Sequence, residues 1–259
     1  MFGLFSKKDP NRCPVPEENR LWLERSFSLL VNIFGKEKIK ERNILFPHHS
    51  CFPIKYNGEA KTATETLKIV AKQMEVEFDD IELNLYNQGL SEISTGSPLN
   101  GGRIFLNSYE DDKSSAGLYF GKEENGKYHI ALERKKLSQP ENMVATLAHE
   151  IAHIKLLGEN RITDNDEKLT DLATVIFGLG IFNANAAFQT FTTVDSSGWR
   201  KMGYLSQMEW GYALSLLAHT REEQTPGWIK YLSVNVRADF KQGERFIEHN
   251  PDLLFQQSL

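Results

Sequence analysis

Apolar side chains recur at helical spacing in several separate stretches of the chain. Between Glu17 and Phe34 they fall at 21, 23, 27, 29, 30 and 34, behind Pro14 and Pro16 and ahead of Gly35. That pattern predicts a helix which the prolines open and Gly35 ends. Similar spacing predicts helices over Glu59–Met74, Ser138 to about Leu157, Thr163 to about Phe177, Ser206 to about His219, and most of 228–249. Two of these starts carry a Ser-x-x-Glu capping box, Ser138 with Glu141 and Ser206 with Glu209. Ile81–Tyr86 alternates apolar and polar and reads as a strand, as does the short stretch Asn43–Phe46. Gly117–Gly121 and Tyr128–Leu132 read as a hairpin turning at Asn125-Gly126. Residues 87–116 are rich in Ser, Gly and Asn and read as loop, while Gly178-Leu-Gly180 reads as a bend. The sum is an α+β chain, mainly helical, with a small sheet in its first half. A natural division is an N-terminal α/β region, 1–116, and a core with a helical C-terminal part, 117–259.

Composition narrows the class. The chain has 259 residues, 40% of them hydrophobic and 25% charged, with a mean hydropathy of −0.43. These values suit a globular fold and argue against disorder or coiled coil. Thirty basic and 35 acidic residues leave a net charge of −5, so no nucleic-acid partner and no membrane-surface role are expected. No apolar run approaches the roughly 18 residues of a membrane span. Two cysteines, Cys13 and Cys51, are too few for a secreted disulfide scaffold. The first residues, Met1-Phe-Gly-Leu-Phe5, lack the apolar core of a signal peptide, so a cytoplasmic location is expected. Oligomeric state leaves no trace in the sequence.

One motif carries chemistry: His149-Glu150-Ile151-Ala152-His153, an H-E-x-x-H on a predicted helix. With seven histidines in the chain, such a motif arises by chance on the order of 0.02 times. Residues i and i+4 of a helix lie about 40° apart, so both imidazoles leave from one face and can share one Zn²⁺ at about 2.0–2.1 Å. Glu150 lies beside that face without ligating, where a carboxylate can take a proton from an activated water. Val144, Leu147, Ile151 and Ile154 form an apolar stripe on the other side. A catalytic zinc takes a third protein ligand and keeps one position open. Glu167, in Glu167-Lys-Leu-Thr-Asp171, is the first candidate, with Asp171 and Asp166 as alternatives. If Glu167 ligates, Asp171 can orient a ligand histidine through its second ring N–H.

HEIAH followed by a helical Glu-x-x-x-Asp resembles the gluzincin metallopeptidases, the thermolysin-like branch of the zincins. The likeness covers roughly 138–180. It implies a zincin-like fold, with a small, mostly antiparallel sheet whose edge borders the active-site helix and pairs with an extended peptide or protein substrate. It implies one Zn²⁺ held by His149, His153 and Glu167, Glu150 as general base, and Asp171 behind the ligands. It also implies a Tyr or His, C-terminal to the ligands, that stabilises the oxyanion: Tyr204, Tyr212 or His219. A metzincin is a poorer match, because no Gly-x-x-His follows His153 at the required spacing. Arg12-Cys13-Pro14-Val15-Pro16-Glu17 resembles the cysteine switch of matrixin propeptides, with Pro14 where that pattern has Gly. The turn holding His48, His49 and Cys51 concentrates metal-capable groups, yet no second pair completes a structural zinc set. Two other expectations stand beside the peptidase. One is a regulatory or inactive zincin scaffold that acts on or binds a single protein partner. The other is a non-catalytic protein binding a partner through its helical tail, 205–259.

Overall fold

The structure is a computed structural model and describes residues 11–87, 93–94, 103–104, 117–122, 125–192, 197–201 and 203–255. In chain order its elements are α1 (Glu17–Phe34), α2 (Lys36–Glu41), α3 (Ala60–Gln73), β1 (Ile81–Tyr86), β2 (Ile93–Ser94), β3 (Arg103–Ile104), β4 (Gly117–Lys122), β5 (Tyr128–Glu133) and α4 (Pro140–His153). After a π-helical turn, Ile154–Gly158, follow α5 (Glu167–Ile176), α6 (Gly180–Ala186), β6 (Phe188–Thr192), β7 (Ser197–Lys201), α7 (Gln207–Thr220) and α8 (Val234–His249). Helices dominate, with little sheet, as the hydrophobic pattern predicts. No helix among the described residues is long and apolar enough to cross a membrane.

The chain divides into two compact units: Met1–Cys51 with Arg161–Leu259, and Phe52–Asn160. In the 52–160 unit a three-stranded sheet runs in the order β1-β5-β4. β5 is antiparallel to β4, its hairpin partner, and parallel to β1. The sheet is therefore mixed where a mostly antiparallel one was expected. The reason is insertion: the hairpin places its second strand inward, and all six residues of β5 are buried, as a central strand requires. Within 87–116, expected as loop, β2 and β3 form a short antiparallel pair; beyond residue 87 the rest of that stretch lies outside the described residues.

α4 packs on α3, β4 and β5. Its start departs from the expected capping box. A 3-10 turn over Arg134–Ser138 shifts the first helical residue to Pro140, and the Ser138 hydroxyl donates to the Lys135 carbonyl instead (2.9 Å). After His153 the π turn widens the helix by one residue per turn. The Tyr128 hydroxyl donates to the Gly158 carbonyl at 3.2 Å. Lys155, 4% exposed, donates to the Glu75 carbonyl and pairs with Glu159.

The other unit is built on helices. α1 spans the predicted range and ends at Gly35, whose φ of 84° suits glycine. Asn43–Phe46 forms no strand; the Leu45 nitrogen donates to the Gly178 carbonyl (2.8 Å), and the Phe46 carbonyl accepts from the His48 nitrogen in a tight turn (2.7 Å). The Gly178–Gly180 bend occurs as expected: Gly178 has φ 75°, and a Cβ on Gly180 would meet Val175 at 2.9 Å. α7 carries the predicted capping box, with both Ser206 and Glu209 bonds present. It is buried nearly all round and packs closely on α8. A Cβ on Gly211 would lie 2.6 Å from Asp239 Cβ and 2.9 Å from the Phe240 nitrogen. Gly211→Ala therefore forces backbone apart. It is expected to cost about 1–3 kcal/mol, lowering Tm by roughly 2–10 °C in a thermal melt.

The C-terminal segment is clasped by a buried ion pair on α1. Arg20 and Glu24 are 5% and 1% exposed and lie 3.1 Å apart. Arg20 donates to the Leu253 carbonyl (2.8 Å), and Glu24 accepts from the Phe255 nitrogen (2.9 Å) and the Tyr212 hydroxyl (2.6 Å). Each ion thus has the additional hydrogen bonds that a buried pair requires.

Candidate metal centre

α4 presents two stripes. Val144, Leu147, Ile151 and Ile154 are buried, as predicted. Opposite them run Asn142, Thr146, His149, Glu150 and His153, spaced at one-turn intervals. The helix spacing predicts that the two histidines face away from the core. Instead Asn142, Thr146, Glu150 and His153 are all buried, and only His149 is partly exposed. Polar groups are costly to bury, so a nearly continuous buried polar stripe is the local signature of a site.

The imidazoles of His149 and His153 stand 4.9 Å apart, centroid to centroid, with their planes at 85°. Glu167, on the first turn of α5, completes a cluster with them: one ligand atom from each of the three lies within 4.8 Å of the others. Ligand atoms around a tetrahedral zinc stand about 3.4 Å apart. Two imidazoles with a carboxylate form a donor set that suits a divalent cation.

The sequence of α5 explains why Glu167 occupies this place and its neighbours do not. Asp166 is the N-cap, its carboxylate accepting from the Leu169 nitrogen at 3.1 Å. Glu167 then opens the helix and accepts from the Asn165 side chain at 2.9 Å. Asp171, one turn on and 1% exposed, accepts from the backbone nitrogens of Tyr204 (2.7 Å) and Leu205 (3.1 Å). Gly203 allows this close approach, since a Cβ there would sit 3.0 Å from Asp171 Oδ2 and its φ is 78°. Asp171 thus moors the segment leading into α7 against the helix that bears Glu167. Spacing alone did not suggest this use of Asp171.

The three candidate oxyanion donors separate clearly. Tyr204, 43% exposed, stands where Asp171 holds its backbone. Tyr212 is fully buried and gives its hydroxyl to Glu24. Burial, followed by that hydrogen bond and the Glu24 charge, pushes its phenol far above the usual range. His219 lies near the far end of α7, roughly 18 Å along the helix axis from the end that Asp171 holds. Burial, with the Lys36 charge behind it, holds its imidazole below the usual histidine range. Asp171, on Glu167's helix, thus holds the Tyr204 backbone, while the Tyr212 hydroxyl is given to Glu24 and His219 lies towards the other end of α7.

Away from any metal the Cys13 thiol stays protonated at neutral pH. Burial, opposed by a backbone hydrogen bond and the Arg20 charge, pushes its thiol up to about 11. At pH 8 it is expected to react with iodoacetamide roughly a hundredfold more slowly than an unperturbed thiol, measurable by mass spectrometry of the alkylated peptide. Among the described residues, His48 bonds Ser50 at 2.9 Å, and the set His149, His153 and Glu167 is the one group of three or more such side chains placed to hold a metal.

Sequence reasoning passed over Tyr86 and Glu133. They end β1 and β5 and stand opposite each other in the parallel register. Glu133 is 4% exposed and pairs with Lys135 at 2.6 Å. Burial, then the charges of Glu133 and Glu150, push the Tyr86 phenol up to about 12. Only the parallel pairing reveals this neighbourhood, which linear spacing cannot show.

No protein-family model, no curated protein and no solved structure matches the chain.

Proposed function

We propose that the chain is a zinc-dependent metallopeptidase of zincin type, of the gluzincin branch that its motif resembles. The observation that carries this reading is that one ligand atom from each of His149, His153 and Glu167 lies within 4.8 Å of the others, with Glu150 adjacent to His149 on the same helix. Those three would hold the ion. When bound, zinc supplies a Lewis acid that acidifies water and polarises a carbonyl.

The chain's own residues do the rest. Glu150, on a buried stripe where a carboxylate's charge is poorly screened, accepts a proton from the attacking water and returns it to the leaving amine. The Asn165 amide holds the Glu167 carboxylate, which fixes its approach. Asp171 fixes the backbone from which the exposed Tyr204 phenol can donate to a developing oxyanion. A peptide or protein is the substrate of this reading, and the low cysteine content supports a cytoplasmic setting.

The test is direct. Purified chain dialysed against zinc is assayed for metal by mass spectrometry, then incubated with a peptide library whose products are sequenced. One zinc per chain and cleavage of internal peptide bonds are expected. A chain that retains no zinc, and melts identically with and without chelator, overturns the reading.

A further inference from the structure

Thr146 stands on the polar stripe of α4, one turn before His149 and Glu150. It is 6% exposed, and its hydroxyl oxygen has no hydrogen-bond partner among the described residues. A buried hydroxyl left unpaired is costly, and a helix offers threonine a ready remedy in the carbonyl three or four residues back. Four other buried threonines take it. Thr62 donates to the Glu59 carbonyl (2.6 Å), Thr66 to Thr62 (2.7 Å), Thr170 to Asp166 (3.0 Å) and Thr174 to Asp171 (2.7 Å). Thr146 has the carbonyls of Asn142 and Met143 at the same spacing and bonds neither. Its hydroxyl is held off the backbone, where only a group from outside the helix ladder can satisfy it.

Helix geometry says what surrounds that hydroxyl. At about 100° per residue, His153 and His149 lie roughly 20° and 60° to one side of Thr146, and Glu150 lies roughly 40° to the other. Helical side chains tilt toward the N-terminus, so His149 and Glu150 lean over the turn that bears Thr146. Residues four apart have Cβ atoms about 5–6 Å from one another. Two hydrogen bonds of about 2.8 Å through one water span roughly that gap. A buried water also needs two or more polar partners, which this stripe supplies.

We propose that Thr146 binds one ordered water and bridges it to Glu150: the hydroxyl donates to the water, and the water donates to one carboxylate oxygen. Thr146 is thereby a positioning residue, fixing which Glu150 oxygen is left to face the attacking water. That consequence rests on the metallopeptidase reading, whereas the water site does not.

Two measurements on the full chain test it. A crystal structure of the chelator-treated protein, at a resolution that shows ordered water, is expected to place one water within hydrogen-bond distance of both Thr146 Oγ1 and the Glu150 carboxylate. A Thr146 hydroxyl bonded to the Asn142 carbonyl, or lacking that water, overturns the proposal whatever the metal content. In the zinc-loaded protein acting on a library-derived peptide, Thr146→Val is expected to lower kcat roughly tenfold with KM and zinc content unchanged, and Thr146→Ser to retain most of it. Valine keeps the shape and loses the hydroxyl, while serine keeps the hydroxyl and loses a methyl group, so a packing role gives the opposite order. That opposite order, or unchanged kcat in Thr146→Val, overturns the positioning role; absence of zinc from the natural chain overturns only the metallopeptidase reading.

Discussion

Glu150→Gln is expected to bind zinc as the natural chain does and to cleave peptide roughly 10²–10⁴-fold more slowly. The amide keeps the size of the carboxylate and one acceptor oxygen, so the buried stripe still packs around it. What it loses is the capacity to take and return a proton. Because the change does not touch His149, His153 or Glu167, metal content is the control that separates lost chemistry from lost folding. Rates and zinc stoichiometry measured on the same preparation decide the matter. An equally active variant removes Glu150 from the mechanism, and a zinc-free variant shows that the glutamate serves the fold instead.

His153→Ala is expected to have the larger effect on metal. Deleting one of three ligands discards a bond and leaves two donors of the set. His153 is also the buried member, 6% exposed, so solvent replaces it poorly. Zinc affinity should fall by at least about 10³-fold, since losing even an outer partner of a ligand costs roughly 10–100-fold. Competition with a chromogenic chelator reads this directly. Chelator should likewise lower the Tm of the natural chain while leaving that of His153→Ala almost unmoved, because an ion stabilises only the state that binds it. Equal zinc affinity in the two proteins would remove His153 from the ligand set.

How far the fold could be read from the sequence differs element by element, for physical reasons. α1, β1 and the start of α7 carry local signals, and each appears within a residue or two of its expected bounds. The start of α4 does not, because the 3-10 turn before it competes for Ser138. The parallel pairing of β1 with β5 escaped notice because register between distant strands leaves no local mark. The same split holds at the site. His149, Glu150 and His153 are spaced by one helix turn, so one-dimensional distance equals proximity. Glu167 sits 14 residues later, and Asp166, Glu167 and Asp171 were separable only once the cap and the Tyr204 mooring were visible. Tyr86 was missed because nothing in Ile81–Tyr86 looks chemical until β5 lies beside it.

The clasp of Arg20 and Glu24 on residues 253–255 has a bearing on biosynthesis. Contacts between the first helix and the last described residues are as non-local as the chain permits, and such contacts form slowly. On a ribosome, α1 emerges more than two hundred residues before its clasped segment, carrying a charged pair designed for burial but still in water. The 52–160 unit is complete and free to collapse during that interval, since domains fold largely as units during synthesis. Translation therefore imposes an order of assembly: the inserted unit first, the discontinuous one only as the final helix clears the exit tunnel.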